Sequence, residues 1–211
     1  MEGYEKKSYD LWARTWDKRK SGGKEGPFKT DWLRMERRIY HAIAGNLCIK
    51  TICEIGFFTG HSTLLWLMAN PKAMVISFDL WEHPHASVGE KFIRDLPGIN
   101  ASRWFVYKGD SAKVIKSFNQ RHPNIVCDLI SVDGSHVIYE MNMDVRIMKN
   151  LANRFWNVLV IDDTCCGASY CVNAVVEENE MLGHIRKLKE FPLAQGRRGV
   201  TIMHYIYNNS I

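Results

Sequence analysis

From residue 51 onward, short apolar runs alternate with stretches in which apolar positions recur every three or four residues. Strands are predicted where β-branched and aromatic residues cluster, at TICEI, MVISFD, WFVYKGD, CDLISVD and NVLVIDD. Helices are predicted between and after them, beginning near His61, Ser87, Ser111, Val137 and Val172. A long final strand is predicted in RRGVTIMHYIYN, with RKLKEF as its candidate partner. The pattern predicts an α/β fold with a mostly parallel, doubly wound seven-stranded sheet, helices on both faces and an antiparallel C-terminal strand.

The first fifth of the chain follows a different pattern. Residues 1–30 are aromatic and basic and end in SGGKEGPFKT, whose Gly and Pro residues predict a loop. A helix with a capping Asp31 is predicted immediately afterwards, in DWLRMERRIYHAIAGN. We therefore expect residues 1–30 to form a solvated N-terminal lid or substrate-side segment, and residues 31–211 to form a single domain.

Composition places the chain among ordinary globular proteins. Of its 211 residues, 46% are hydrophobic and 24% are charged, with a modest net charge of +5. The charged opening MEGYEKKSYD does not resemble a signal peptide, and no apolar run approaches the roughly 18 residues that span a bilayer. These features predict a cytoplasmic protein with no membrane partner.

The six cysteines do not predict a metal site or a disulfide framework. Cys53 and Cys127 fall inside strand patterns, where cysteine usually acts as a small hydrophobic residue. Paired C-x-x-C spacing with matching histidines is absent, so zinc is not expected. A reduced compartment is the default expectation.

Acidic residues recur at or just beyond the predicted strand ends, as Glu54, Asp79, Asp110, Asp133, Asp162 and Asp163. Their spacing is close to the roughly 30 residues of one strand–helix unit. In an open α/β sheet, ligands bind at the carboxyl ends of the strands. The sequence therefore predicts a ligand site lined by carboxylates at this edge of the sheet.

The first strand runs into EIGFFTGHST, in which Gly56 and Gly60 frame a turn that opens a helix. Backbone N–H groups in such a turn can approach a ligand closely. The spacing is not G-x-G-x-x-G, which weighs against a nicotinamide or flavin cofactor. The acid ahead of the first glycine, Glu54, suits a cationic ligand better than a pyrophosphate.

EIGFFTGHST resembles motif I of the class I S-adenosylmethionine-dependent methyltransferases, which have a Rossmann-like fold. Asp79 falls where those enzymes hold the ribose hydroxyls, and YKGDS resembles their motif near the adenine. The resemblance covers roughly residues 50–205 and implies S-adenosylmethionine as the cofactor. The residues that it implies for cofactor binding are Glu54, Gly56, Phe57, Gly60, His61, Ser62, Asp79, Leu80, Gly109, Asp110, Ser111 and Asp133.

Within that family, the chain is most similar to the small metal-dependent O-methyltransferases, which include catechol, caffeoyl-coenzyme A and sugar enzymes. The resemblance implies that Asp133, Asp162 and Asp163 bind a divalent cation, and oxygen ligands suit Mg²⁺, Ca²⁺ or Mn²⁺. Three converging carboxylates would repel one another without a cation. In DLISVDGSH, Asp133 is then a metal ligand and catalytic residue, and His136 is the general base.

The expected function is methyl transfer to a hydroxyl of a small diol, catechol or sugar-like molecule. We expect a shallow pocket that is completed by the N-terminal segment or by a second subunit. In the second case the protein would be a homodimer. The sequence departs from the family in its bulky FFT within motif I and in an Asp-Asp pair instead of Asp-Asn. Two alternatives stay open: methyl transfer to an RNA ribose without metal, although nucleic acid is not the favoured partner, and a non-catalytic cofactor-binding scaffold.

Overall fold

A computed structural model of the protein describes residues 2–15, 31–164, 172–193 and 198–207. Seven helices lie within these ranges: α1 (Glu2–Thr15), α2 (Asp31–Ala44), α3 (His61–Ala69), α4 (Pro84–Asp95), α5 (Ser111–Arg121), α6 (Ile138–Met148) and α7 (Val172–Met181). The strands of the same ranges are β1 (Thr51–Ile55), β2 (Met74–Asp79), β3 (Trp104–Lys108), β4 (Leu129–Val132), β5 (Val158–Ile161), β6 (Ile185–Leu193) and β7 (Arg198–Tyr205).

The seven strands form one sheet in the order β3-β2-β1-β4-β5-β7-β6. Strands β1 to β5 are parallel to one another, and β7 runs antiparallel to both β5 and β6. The strand order reverses direction between β1 and β4, which in doubly wound folds opens a ligand crevice. The predicted fold class, including its antiparallel C-terminal strand, is confirmed.

Each face of the sheet carries its own hydrophobic core. Helices α1 to α4 pack on one face, against strand residues such as Ile52 and Val75. Helices α5 to α7 pack on the other, against alternate residues of the same strands such as Ile55 and Ile76. Every residue of β1 and β4 is buried, as expected for central strands covered on both sides.

The N-terminal residues differ from the solvated segment that the sequence predicts. Residues 2–15 form α1, and Tyr4, Ser8 and Leu11 are buried because the helix packs on α3 and α4. The Tyr4 hydroxyl donates to the carbonyl of His61 at 3.2 Å. Residues 16–30 lie outside the described ranges, so the boundary at residue 30 and the lid remain predictions.

The cysteine interpretation requires a correction. Cys53 and Cys127 are joined by a disulfide across a Cα–Cα distance of 5.8 Å, rather than acting as two separate hydrophobic residues. Both sulfurs lie in the core under α5 to α7, where Cys53 of β1 meets Cys127, two residues before the neighbouring parallel strand β4. Cys48 is an exposed free thiol, whereas Cys165, Cys166 and Cys171 lie outside the described ranges. No helix within those ranges has the length and apolar character to cross a membrane.

Candidate functional site

A cavity of about 760 Å³ opens at the carboxyl ends of β1 to β4. We refer to it as the strand-end cavity. Its walls come from the loops after β1, β2, β3 and β4, from the first turn of α5 and from the first two turns of α6. The predicted residues that line it are Gly56, Asp79, Leu80, Gly109, Asp110, Ser111, Asp133 and His136. The structure thus brings four separate sequence motifs into one site.

Gly56 allows the first wall to approach the fourth. Its φ of +97° is a conformation that favours glycine, and an added Cβ would lie 1.9 Å from the carbonyl oxygen of Asp133. The loop after β1 therefore packs backbone against backbone on the loop after β4. Any larger residue at this position would push the two walls of the cavity apart.

Asp79 organises the second wall. Its Oδ2 accepts the N–H groups of Phe57 at 2.8 Å and Phe58 at 3.0 Å, and its Oδ1 accepts the N–H of Trp81 at 2.7 Å. Phe58 and Trp81 have positive φ values of 47° and 65°, which are rare for bulky residues. The three hydrogen bonds offset the cost of these conformations and hold both loops in place.

The third wall joins the start of α5 to α6. Asp110 caps α5 by accepting the N–H of Lys113 at 3.0 Å, and the Ser111 hydroxyl donates to Asp144 on α6. Asp144 is buried and also lines the strand-end cavity. Burial raises the pKa of Asp144 to about 6, although the Ser111 hydrogen bond opposes the shift. The sequence reasoning missed Asp144, which lies inside a helix and beyond the strand ends.

Beside the strand-end cavity lie four carboxylates that we call the acidic cluster: Glu36, Asp133, Asp162 and Asp163. Enclosure by protein and then the charges of Asp162 and Asp163 raise the pKa of Asp133, which stays accessible from the cavity. Burial and then Asp163 raise the pKa of Asp162 to about 7. Because the charges of these carboxylates act on one another, the predicted metal-binding residues Asp133, Asp162 and Asp163 lie near one another.

Helix α2 supplies the fourth carboxylate of the acidic cluster, which the sequence reasoning also missed. Burial, then Asp162 and Asp163, raise the pKa of Glu36 to about 9, against the opposing charges of Arg37 and Arg198. The buried Tyr40 hydroxyl, one turn further along α2, lies close enough to Asp162 to lower its pKa, and it has no hydrogen-bond partner within the described ranges. Its ring stacks on Trp66 with centroids 5.1 Å apart.

Two basic side chains reach the same cluster. The Nε2 of His136 lies 3.8 Å from Asp163 Oδ2, and the Nε of Arg198 lies 3.2 Å from Asp163 Oδ1. Asp163 has a φ of 54°, and its N–H donates to Asp162 Oδ1 at 2.8 Å. The tight turn after β5 therefore fixes the acidic pair, while β7 places Arg198 against it.

Other predicted cofactor residues do not line the strand-end cavity. Glu54 points into the face covered by α3, where it accepts the Trp66 indole N–H at 2.8 Å and hydroxyls of Thr63 and Ser77. Burial raises the pKa of Glu54. The residues Phe57, Gly60, His61 and Ser62 are likewise absent from the cavity lining. Phe57 nevertheless contributes its N–H to Asp79.

His61 lies beneath α1 at the start of α3, where the Ser8 hydroxyl and the His61 Nδ1 are 3.0 Å apart. Burial, and then the positive charge of Arg37, lower the pKa of His61 to about 4. The imidazole is therefore neutral at physiological pH. The structure gives His61 a packing environment at the α1–α3 contact.

The described residues do not form a ready-made metal site. Among residues 2–15, 31–164, 172–193 and 198–207, no three His, Cys, Asp or Glu side chains are grouped so that they could hold an ion. Asp163 also lies next to two basic side chains, Arg198 and His136. The donor chemistry suits a hard cation, but the side-chain placement does not fit one without rearrangement.

The strand-end cavity lies at the topological switch point of the sheet, where open α/β folds bind their ligands. Residues 53–164, slightly more than half of the 211-residue chain, match a family model described as a methyltransferase domain. The chain therefore belongs to this methyltransferase family, and the class of enzyme that EIGFFTGHST predicts is confirmed. A comparison with curated protein sequences returns no match.

Solved structures with the same fold include several O-methyltransferases. The O-methyltransferase from Bacillus cereus in complex with S-adenosylhomocysteine has a TM-score of 0.68 at 11% identity, over 95% of this chain and 91% of that one. The O-methyltransferase TomG from Streptomyces achromogenes is involved in tomaymycin synthesis, and its structure contains S-adenosylmethionine. It has a TM-score of 0.65 at 18% identity, over 82% of this chain and 80% of that one. The TDP-rhamnose 3′-O-methyltransferase of calicheamicin biosynthesis has a TM-score of 0.60 at 11% identity, over 93% of this chain and 92% of that one. At these identities the likeness concerns the fold.

Proposed function

We propose that the protein is an S-adenosylmethionine-dependent O-methyltransferase that acts on a hydroxyl of a small molecule, such as a diol, a catechol or a sugar-like compound. One observation carries this proposal: the strand-end cavity adjoins the acidic cluster through Asp133, which belongs to both. A methyl donor and a hydroxyl acceptor can therefore occupy neighbouring positions. The solved relatives named above, some of which carry this cofactor or its product, support the choice of cofactor.

The strand-end cavity accounts for cofactor binding in this proposal. Gly56 opens the space for close backbone approach, and Asp79 faces the ribose, while Gly109, Asp110 and Ser111 form the wall at the adenine. When bound, the cofactor supplies an electrophilic methyl group. The chain orients it and excludes water from its donor end, which promotes transfer to a positioned oxygen.

His136 is the proposed general base. Its side chain is 48% exposed at the boundary between the strand-end cavity and the acidic cluster, within reach of an acceptor hydroxyl. The imidazole removes the proton from that hydroxyl, and the nearby Asp163 carboxylate stabilises the imidazolium that forms. Asp133 orients the acceptor by accepting a hydrogen bond from it.

We further propose that Asp133, Asp162 and Asp163 bind a divalent cation such as Mg²⁺. The raised pKa values of Asp133 and Asp162 support this part, because clustered carboxylates favour either protons or a cation. Arg198, whose Nε lies 3.2 Å from Asp163 Oδ1, would compete with the cation for this carboxylate. Its contribution is tested separately from cofactor binding.

Calorimetric titration with S-adenosylhomocysteine, with and without Mg²⁺, tests the proposal. We expect binding by the wild type, together with a Mg²⁺ signal that Asp133→Ala and Asp162→Ala each abolish. Binding without a metal response would refute the metal part and leave His136 with the chemistry. Absence of cofactor binding would refute the proposed function.

A screen of diols, catechols and sugars with labelled cofactor then tests turnover. His136→Ala should lower kcat by about 100-fold or more with little change in cofactor affinity. Cofactor binding with no transfer to any of these hydroxyls would favour the scaffold alternative.

The redox state of Cys53 and Cys127 in cells tests the proposed cytoplasmic location, because disulfides persist mainly in oxidising compartments.

A further inference from the structure

Asp79 has less free hydrogen-bonding capacity than its position at the end of β2 suggests. An ionised carboxylate offers about four lone-pair sites. Three of them accept the backbone N–H groups of Phe57, Phe58 and Trp81, at 2.8, 3.0 and 2.7 Å. One site is left, on Oδ1. A ribose carries two neighbouring hydroxyl donors, so Asp79 has the capacity to accept only one of them.

Glu82 lies on the same loop, three residues beyond Asp79, and lines the strand-end cavity. It is exposed and makes no hydrogen bond or ion pair with the described part of the chain. By contrast, Asp110 accepts the N–H of Lys113. Glu82 is thus a carboxylate with full accepting capacity on the wall that Asp79 organises.

The residues on both sides of Glu82 fix the backbone that carries it. Trp81 is held by its N–H bond to Asp79 at 2.7 Å, and its ring lies 5.3 Å from that of Phe57 and 3.9 Å from Lys108 Nζ. The His83 ring meets Phe58 edge-on with centroids 5.2 Å apart. The loop that carries Glu82 beside the strand-end cavity is therefore held in place by contacts of the residues before and after it.

We infer that Glu82 accepts one ribose hydroxyl of the cofactor while the remaining lone pair of Asp79 accepts the other. The inference rests on the proposed function, because it requires an adenosine-bearing ligand in the strand-end cavity. In this arrangement the two carboxylates have different roles. Asp79 holds the loops through its hydrogen bonds and binds one hydroxyl, whereas Glu82 binds the second hydroxyl and determines specificity for an intact ribose.

The test measures binding rather than turnover. Dissociation constants are determined by calorimetry for S-adenosylhomocysteine and for its 2′-deoxy and 3′-deoxy analogues, with wild type, Glu82→Ala and Glu82→Gln. In the wild type we expect each analogue to bind about tenfold more weakly than the parent, since a charged acceptor loses its donor. In Glu82→Ala, the parent should weaken about tenfold, and one of the two analogues should show no additional loss.

Glu82→Gln retains an amide oxygen that can still accept a hydrogen bond, so it should recover part of the lost affinity. Glu140→Ala is the matched control because Glu140 is another exposed carboxylate in the cavity lining, on α6. Its removal changes the charge equally and should leave both analogue penalties at their wild-type values. Thermal unfolding should be unchanged in the Glu82 variants because the side chain is exposed.

Two results would overturn the inference, and they are distinguishable. If Glu82→Ala binds the parent compound with both analogue penalties intact, the second hydroxyl is held elsewhere and the inference alone fails. If the wild type does not bind S-adenosylhomocysteine, the proposed function fails and the inference fails with it.

Discussion

The two halves of the site use carboxylates in opposite ways. On the side of the strand-end cavity, Asp79 is surrounded by three backbone N–H donors within 3.0 Å. In the acidic cluster, Asp133, Asp162 and Glu36 have raised pKa values because they are enclosed and face one another. In the first half, backbone donors therefore balance the charge of the carboxylate. The second carries an excess of negative charge that protons, arginines or a cation must offset.

The largest effect should come from Gly56→Ala, which acts where the two halves meet. Its Cβ would lie 1.9 Å from the Asp133 carbonyl oxygen, so the loops after β1 and β4 must separate. We expect a loss of about 3 kcal/mol or more in the free energy of unfolding, measured by urea denaturation, and no detectable cofactor binding. Gly98→Ala is the matched control, because Gly98 also has a positive φ, of +80°, but nothing lies within 4 Å of its added Cβ. Equal losses in the two variants would show that backbone strain alone matters.

Asp79→Ala tests whether the first half is organised by its carboxylate. Three backbone N–H groups would lose their acceptor, and Phe58 and Trp81 would be free to leave their positive φ values. Urea denaturation should show a loss of about 2 kcal/mol in the free energy of unfolding. Asp95→Ala removes a carboxylate from an exposed pair with Lys91 and should change stability by less than about 0.5 kcal/mol. A loss as small as that of Asp95→Ala would contradict the assigned role of Asp79.

Asp162→Asn should raise the free energy of unfolding, in contrast to the two preceding substitutions, which lower it. The folded pKa of Asp162 is about 7, above its ordinary value of 3.8, so the native state holds this proton to higher pH than the unfolded state does. Wild-type stability is therefore expected to fall as pH rises from about 4 to about 7, and the uncharged amide removes that loss. Above pH 7, without added metal, we expect the free energy of unfolding to increase by about 1 kcal/mol. A decrease at pH 8 would show that the acidic cluster is already neutralised.

Asp144→Asn should give the smallest effect and sharpen the comparison, because Asp144 is a carboxylate of the strand-end cavity with a raised pKa. Its folded pKa of about 6 predicts that the wild type loses stability between about pH 4 and pH 6. The amide can still accept from the Ser111 hydroxyl, so we expect a gain of up to about 1 kcal/mol at pH 8 that vanishes near pH 4. Thermal melts across this pH range provide the measurement. A pH-independent difference would assign the effect to packing.

Most of the fold was predictable from the alternation of apolar runs and helical stretches. TICEI and MVISFD have the bounds of β1 and β2, and α3 and α5 begin at His61 and Ser111 as expected. Helix α4 begins at Pro84 instead of Ser87, because proline is well accommodated in the first turn. Helix α1 was not predicted because its many charged residues obscure the apolar pattern of the face that packs against α3 and α4.

The site was predictable only where its residues sit at strand ends. Asp79, Asp110 and Asp133 line the cavity as expected, since the end of a strand exposes the next side chain to the sheet edge. Glu54, one residue earlier in its strand, instead points into a face and is taken up by Trp66 and Ser77. Glu36 escaped notice because it enters from α2, outside the repeating strand–helix units, and no local signal marks that approach.

The Cys53–Cys127 bond closes a covalent ring that contains β2, β3 and the helices α3, α4 and α5. A protease that cuts this ring once leaves both fragments in a single molecule, which migrates as two pieces only after reduction. The walls contributed by β1, β2 and β3 therefore stay tethered to the strand that leads to Asp133 even in a nicked chain. Cleavage before residue 53 or after residue 127, in contrast, releases a separate fragment under any redox condition.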